Sequence, residues 1–419
     1  MFYGWWIVGT AFTVQLFMVG FFSYGYPLVI VPVKLDFGAS DSQVNLVMTT
    51  ASIVGLVLPP IVGPLADRWS ARGLMLIGTV SLAVAFLLLS ITQGIYQFIA
   101  TFALLIGASN ALLGPITCSS VVSRWFVASR GRALGLAATG TSVGGMLAPA
   151  LLTDWVAAWG WRGTLQGLAA MVLLIVLPLV LFVLRDQPAD KGLEPEGTSA
   201  SAPETGGHGP HSSAEREWTT GEVLRSRSYW VISSALGLLF MSYMAVLSNL
   251  GLYVSGLGIE IQMTLLGIDF TAAAILVTLI SLFGLIGKIV FGYAADFIGM
   301  RPGLWMAQAL AGAGIFLLSL EPAFPMMVAA ATLIGLAAGG MLPVWGAMVA
   351  AAFGTLSYGR VMGLVMPVIS VLVMPGFMIA GASSDATGSF ALAMQAFVAS
   401  IGVSAALLLA LRLPRPAVA

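Results

Sequence analysis

Twelve stretches of roughly 20 or more apolar residues run along this chain, and they decide what it can fold into. They lie at 5–31, 42–66, 74–92, 96–123, 131–157, 164–184, 229–255, 267–294, 302–320, 324–352, 361–384 and 389–411. Each is long enough to cross the ~30 Å hydrocarbon core of a bilayer as a helix. The chain is 59% hydrophobic and 8% charged, against roughly 25% charged residues in a soluble domain. Water is therefore not the solvent for most of its surface. The period-two alternation of membrane barrel strands is missing, so helices must satisfy the backbone in lipid. The expected fold is all-α and integral to the membrane, with twelve transmembrane helices.

The first stretch is too long for a secretory leader and lacks a small-residue cleavage site, so it is expected to be retained. Most of the 49 glycines sit inside apolar stretches, where small residues let helices approach closely. The single Cys118 lies within the fourth stretch, which excludes an intramolecular disulfide. Of the 17 Lys and Arg, Lys34 and Arg162 fall on one side of the membrane and Lys288 falls inside the eighth stretch. The others lie on the side of the termini. Basic residues concentrate on cytoplasmic segments, so both termini are expected in the cytoplasm, with a cell membrane, a bacterial inner membrane, as the location.

One segment is not membrane. Residues 185–228 are rich in Ser, Gly, Pro and Glu and divide six stretches from six. They read as a largely disordered cytoplasmic linker between an N-terminal six-helix bundle, 1–184, and a C-terminal one, 229–419. The end of the linker, from Glu217 to Leu224, reads as a short surface helix. His208 and His211 lie in the linker without Cys or carboxylate at ligand spacing, so no metal site is expected.

The two halves repeat each other. Gly63, Asp67 and Arg72 follow the second stretch, and Gly292, Asp296 and Arg301 follow the eighth with the same spacing. Arg132-Ala-Leu-Gly135 after the fourth stretch matches Arg360-Val-Met-Gly363 after the tenth. Such internal repetition marks transporters. A glycine four residues before the aspartate allows tight packing at the cytoplasmic edge, and the aspartate can cap a helix or meet an arginine of a neighbouring one. Gly63, Asp67, Arg68, Arg72, Arg124, Arg132, Gly292, Asp296, Arg301 and Arg360 are accordingly expected to gate that edge.

These motifs resemble the major facilitator superfamily over nearly the whole chain, the duplicated Gly-x-x-x-Asp…Arg loop being its best-known signature. A narrower resemblance is to its monocarboxylate-transporter and oxalate–formate-antiporter branch. It rests on Tyr3-Gly4-Trp5-Trp6-Ile7-Val8, the run from Arg124 to Gly135 and Gly140-Thr-Ser-Val-Gly144-Gly145. Trp161-Arg162 and the run from Glu222 to Trp230 agree. The resemblance implies two pseudo-symmetric six-helix bundles, with the first, fourth, seventh and tenth helices lining a central cavity. On those helices the polar or aromatic residues Gln15, Tyr24, Asn110, Tyr243, Asn249 and Trp345 are candidates for substrate contact.

Lys288 is the strongest candidate. It lies eight residues before Asp296, so its backbone sits ~12 Å inside the membrane at ~1.5 Å per residue. A lysine there costs roughly 2.5–3.5 kcal/mol, and such a residue normally faces a cavity and works. No acidic residue falls at its depth, so an incoming anion is the natural counter-ion. The resemblance implies the same role, because carriers of this branch place a carboxylate-binding arginine four residues before a glycine, where Lys288 precedes Gly292. Gly284 stands where family symporters often carry an acid. Leu28, after Pro27, stands where animal members carry a basic residue.

The expected function is secondary transport of a small organic anion, a monocarboxylate, by proton symport or anion exchange. Efflux of a neutral or drug-like molecule is the alternative. The membrane stretches hold no histidine, acidic pair or nucleophile–base set, so no enzyme, cofactor or metal is expected. Apart from H+ and the lipid bilayer no partner is expected, nucleic acid included, and the chain is expected to work as a monomer.

Overall fold

The computed structural model describes residues 2–58, 70–126, 129–196, 218–265, 268–298, 300–353 and 358–411. Over the described residues the apolar stretches are helical, apart from the start of the eighth. We label them α1 (Gly4–Phe37), α2 (Asp41–Val57), α3 (Ala71–Ser90), α4 (Ile95–Trp125), α5 (130–159) and α6 (161–183) in the first half. The second half holds α7 (Arg227–Gly256), α8 (Ala272–Ile298), α9 (Met300–Ser319), α10 (Phe324–Phe353), α11 (Tyr358–Thr387) and α12 (Ala391–Leu407). The fold is all-α and membrane-spanning, two pseudo-symmetric six-helix bundles.

Several boundaries have local causes. Ser40 caps α2, accepting from the Gln43 N–H at 3.2 Å while Gln43 Oε1 accepts from the Ser40 N–H at 2.9 Å, a capping box. Gly160 separates α5 from α6 with φ 64° and ψ 173°, a conformation that only glycine adopts cheaply. In α4, Gly114 turns extended (ψ 177°) just before Pro115, as the proline ring disfavours helix at the preceding residue. In α1, residues Leu16–Tyr24 widen into a π-helix, a distortion that often accompanies functional sites.

Two expectations need correction. Helix α8 begins at Ala272 rather than 267, because Gln262–Leu265 and Ile268–Thr271 pair as an antiparallel hairpin, with Gln262 opposite Thr271. The described parts of the linker, 185–196 and 218–228, are also folded. Residues 185–196 fold onto the first half: Trp125 Nε1 donates to the Arg185 carbonyl at 3.1 Å, and the Glu196 N–H donates to the Trp125 carbonyl at 3.0 Å. The Glu196 carboxylate accepts from Ser129 Oγ at 2.5 Å. Thr220–Arg225 forms the short helix, capped by Thr219 and Glu222. His208 and His211 lie outside the described residues.

Across the halves, α2 packs on α11, α5 on α8 and α1 on α7. Exchanging the halves maps α2–α11 onto α8–α5, so these seams are equivalent under the pseudo-symmetry. Large apolar side chains such as Leu104, Leu174, Phe182 and Ile289 remain exposed on the outside, as a lipid-facing surface requires. We call the end where residues 185–228 join the halves the linker end, and the opposite one the hairpin end.

Candidate substrate site between the halves

Helix α10 holds α8 by backbone contact. A Cβ at Gly339 would lie 2.3 Å from the Gly284 carbonyl oxygen and 2.6 Å from the Lys288 nitrogen. Only glycine at 339 lets α8 seat this deeply, and the seat fixes where Lys288 starts. From there the half-buried Lys288 side chain crosses the seam to α5. Its Nζ donates to Thr141 Oγ1 at 3.0 Å and to Ser142 Oγ at 2.8 Å. Thr141 in turn donates to the Ala138 carbonyl at 2.9 Å. Among the described residues no carboxylate pairs with Lys288; the ion pairs found, Lys34–Asp41 and Arg162–Asp36, both at 2.6 Å, lie towards the hairpin end.

About one turn further along α5, towards the hairpin end, the seam tightens at Gly145. A Cβ there would meet Ser281 Oγ at 2.2 Å and the Tyr24 ring at 2.8 Å. Ser281 is buried at this contact. Tyr24 closes the π-helical segment of α1, and its hydroxyl meets that of Tyr243 on α7 at 3.3 Å. Lys288 and Ser281 of the second half thus face Thr141, Ser142 and Gly145 of the first, and the pair of Tyr24 from the first half with Tyr243 from the second continues the same seam.

The remaining candidates are placed differently. Asn249 exchanges amide hydrogen bonds with Asn45 of α2, both at 2.8 Å, and donates to the Ala245 carbonyl at 2.9 Å, so its amide is committed to joining the halves. Gln15 donates to the Ala137 carbonyl at 3.2 Å inside the first half. Trp345 is buried against Phe240, and its indole N–H lacks a partner among the described residues. Asn110 is half-buried on α4, four residues before the break at Gly114.

Of the expected gating residues, Gly63, Asp67 and Arg68 lie outside the described residues, and so do the surroundings of Gly292 and the side chain of Asp296 on α8. Arg72 bonds to the first half and to the linker that leaves it, its guanidinium to the Leu181 carbonyl and its N–H to Asp186 Oδ1 at 2.8 Å. Arg360 donates to the carbonyl of Trp218, in the segment leading into α7. Arg124 lies in the last turn of α4, Arg132 is exposed on α5, and the buried Arg301 Nε has no partner among the described residues.

A contact that the sequence did not reveal lies at the hairpin end. Asp385 of α11 accepts from the N–H groups of Asp41 and Ser42 at 2.8 and 3.0 Å. Asp41 in turn accepts from Ser384 Oγ at 2.7 Å and pairs with Lys34. Lys34, Asp41, Ser384 and Glu321 border a recess of about 380 Å³. Among the described residues, the hydrogen bonds joining the halves thus run from Lys288 to the hairpin end.

The family model described as Major Facilitator Superfamily matches residues 12–266 and 260–419. Among curated proteins, the MFS-type transporter pynF of Aspergillus niger is 24% identical over 346 residues, 82% of this chain and 73% of its own length. The agnestins efflux protein AgnL12 of Paecilomyces divaricatus is 26% identical over 321 residues, 76% of this chain and 66% of its own. Among solved structures, a bacterial homolog of the human lysosomal transporter Spinster superposes with TM-score 0.70 at 15% identity, covering 99% of both chains. The chain belongs to the Major Facilitator Superfamily and is a transporter.

Proposed function

We propose that this superfamily member carries a small organic anion, a monocarboxylate, by exposing a site between its halves to each face in turn. The observation that carries this reading is the Lys288 ammonium, held across the seam by two neutral hydroxyls. An ammonium has three donors; two are engaged, and the charge has no carboxylate partner among the described residues. A cation inside the membrane normally faces a functional partner, and a single carboxylate balances a single ammonium. The hydroxyls of Tyr24 and Tyr243 supply neutral contacts further along the seam. Asn110 and Trp345 are second-rank contacts on this reading, whereas Asn249 and Gln15 reach a substrate only by giving up their present hydrogen bonds.

The bundles are 1–184 and 229–419, joined by 185–228, and the repeated Gly, Asp and Arg residues gate the linker end. Both termini face the cytoplasm, the protein sits in a cell membrane, and it works as a monomer. Transport is coupled to H+ or to a second anion; accumulation driven by a pH gradient in liposomes distinguishes the two. The test of the site is Lys288→Ala in liposomes, which is expected to abolish uptake of the carried anion. Uptake at the wild-type rate ends this reading. It would favour the second one, efflux of a neutral or drug-like molecule, for which the named efflux protein among the relatives speaks.

A further inference from the structure

We infer that Thr141 holds the place of a substrate oxygen: an incoming carboxylate displaces it from Lys288 and bridges Lys288 and Ser142 across the seam. The inference rests on the anion reading of Lys288 given above.

The two hydroxyls that hold Lys288 are not equivalent. Thr141 donates its proton to the Ala138 carbonyl one turn back, the usual habit of a helical threonine. Towards Lys288 it offers only a lone pair. A carboxylate offers lone pairs as well, with a full charge, and hydrogen bonds between charged partners are the stronger ones. Thr141 therefore competes with an anion for the same donor and has no proton with which to greet it. Ser142 differs. It is 3% exposed and accepts from Lys288 at 2.8 Å, while its own proton meets no acceptor among the described residues. A carboxylate that took the place of Thr141 would find the ammonium on one side and this free hydroxyl proton on the other. Lys288 belongs to the second half and Ser142 to the first, so the bound anion would join the halves through itself. Thr141 thus sets the affinity of the empty site by competition, and Ser142 sets it by contact.

The experiment titrates the thermal midpoint of the purified full chain with lactate and with benzoate, in wild type, Thr141→Val, Ser142→Ala and Lys288→Ala. Ligands that bind only the folded state raise the midpoint by an amount that grows with the logarithm of their concentration over Kd, so the titration reports affinity. Valine keeps the shape of threonine and removes the competing lone pair. Thr141→Val is expected to bind the anion about three- to tenfold more tightly, the size of an interhelical hydrogen bond in a membrane. Ser142→Ala is expected to bind more weakly by a similar factor. If Thr141→Val does not fold, Thr141→Ala carries the same expectation. Unchanged or weaker binding on removing the Thr141 hydroxyl overturns the inference, as does unchanged or tighter binding in Ser142→Ala. Both results would leave the anion reading standing, provided that Lys288→Ala has lost binding. Binding that survives in Lys288→Ala, or no binding of either probe by wild type, removes the anion reading itself and this inference with it.

Discussion

Asp385, near the end of α11, caps the start of α2 in the opposite half, its two oxygens accepting from the N–H groups of Asp41 and Ser42 at 2.8 and 3.0 Å. The first N–H groups of a helix have no partner inside it, and the helix dipole favours a negative charge there. One half therefore supplies what the other half's helix lacks. Helix α2 answers with its Asp41 carboxylate, which accepts from Ser384 Oγ of α11.

Asp385→Ala removes the cap. Hydrogen bonds to a charged group contribute about 1.5–3 kcal/mol, so the closed hairpin end should lose population about tenfold or more. A cysteine in place of the buried Leu252, in a chain with Cys118→Ser, reports this through its labelling by a membrane-impermeant maleimide. Faster labelling in Asp385→Ala is the expected result; an unchanged rate would mean that the cap does not hold that end shut.

Lys288→Arg is expected to keep anion binding, because arginine stays charged and offers a planar fork to a carboxylate. Lys288→Gln is expected to lose it while folding normally. Anion-dependent thermal stabilisation of the purified variants measures both.

Gly339→Ala places a methyl carbon 2.3 and 2.6 Å from backbone atoms of α8. Backbone cannot step aside as a flexible side chain would, so the cost is that of overpacking, about 1–3 kcal/mol. Gly135→Ala is the control, since its added Cβ meets nothing within 4 Å. Melting of the two variants in the same detergent should separate them clearly.

The Asn45–Asn249 amide pair joins α2 to α7 inside the membrane. A double-mutant cycle with Asn45→Ala and Asn249→Ala should give a coupling of about 0.6 kcal/mol, reaching at most about 1.7. Additive losses would show that the two amides act separately.

Much of the fold was legible because hydrophobicity is written along the backbone of every span, and a duplicated charge motif marks the halves. Lys288 was legible for the same reason, as a cation out of place in an apolar run. Its partners were not. Thr141 and Ser142 stand in a segment that the sequence offered only as family likeness, and helical hydroxyls usually bond back to their own turn, so nothing singles out the two that face a lysine. The cap at Asp385 was hidden for a different reason. Its partner Asp41 lies 344 residues away, and both carboxylates sit where membrane helices end and charges are ordinary. The hairpin at 262–271 was hidden in an apolar run that continues into α8, so its start read as helix. Asn249 was correctly singled out as polar and deep, but a lone amide carries no sign of whether it meets a ligand or another amide.

The glycine seat beneath Lys288 has a mechanical consequence. With its backbone nitrogen pressed against α10 at Gly339, the lysine cannot shift along α8 unless two helices move together. Any excursion of the ammonium then comes from rotation of its own four-carbon stem, like a boom on a fixed mast. The distance over which the ammonium can reach across the seam is set by the length of that boom, and lengthening it by one atom or shortening it by one should change which hydroxyls of α5 it meets without touching the frame.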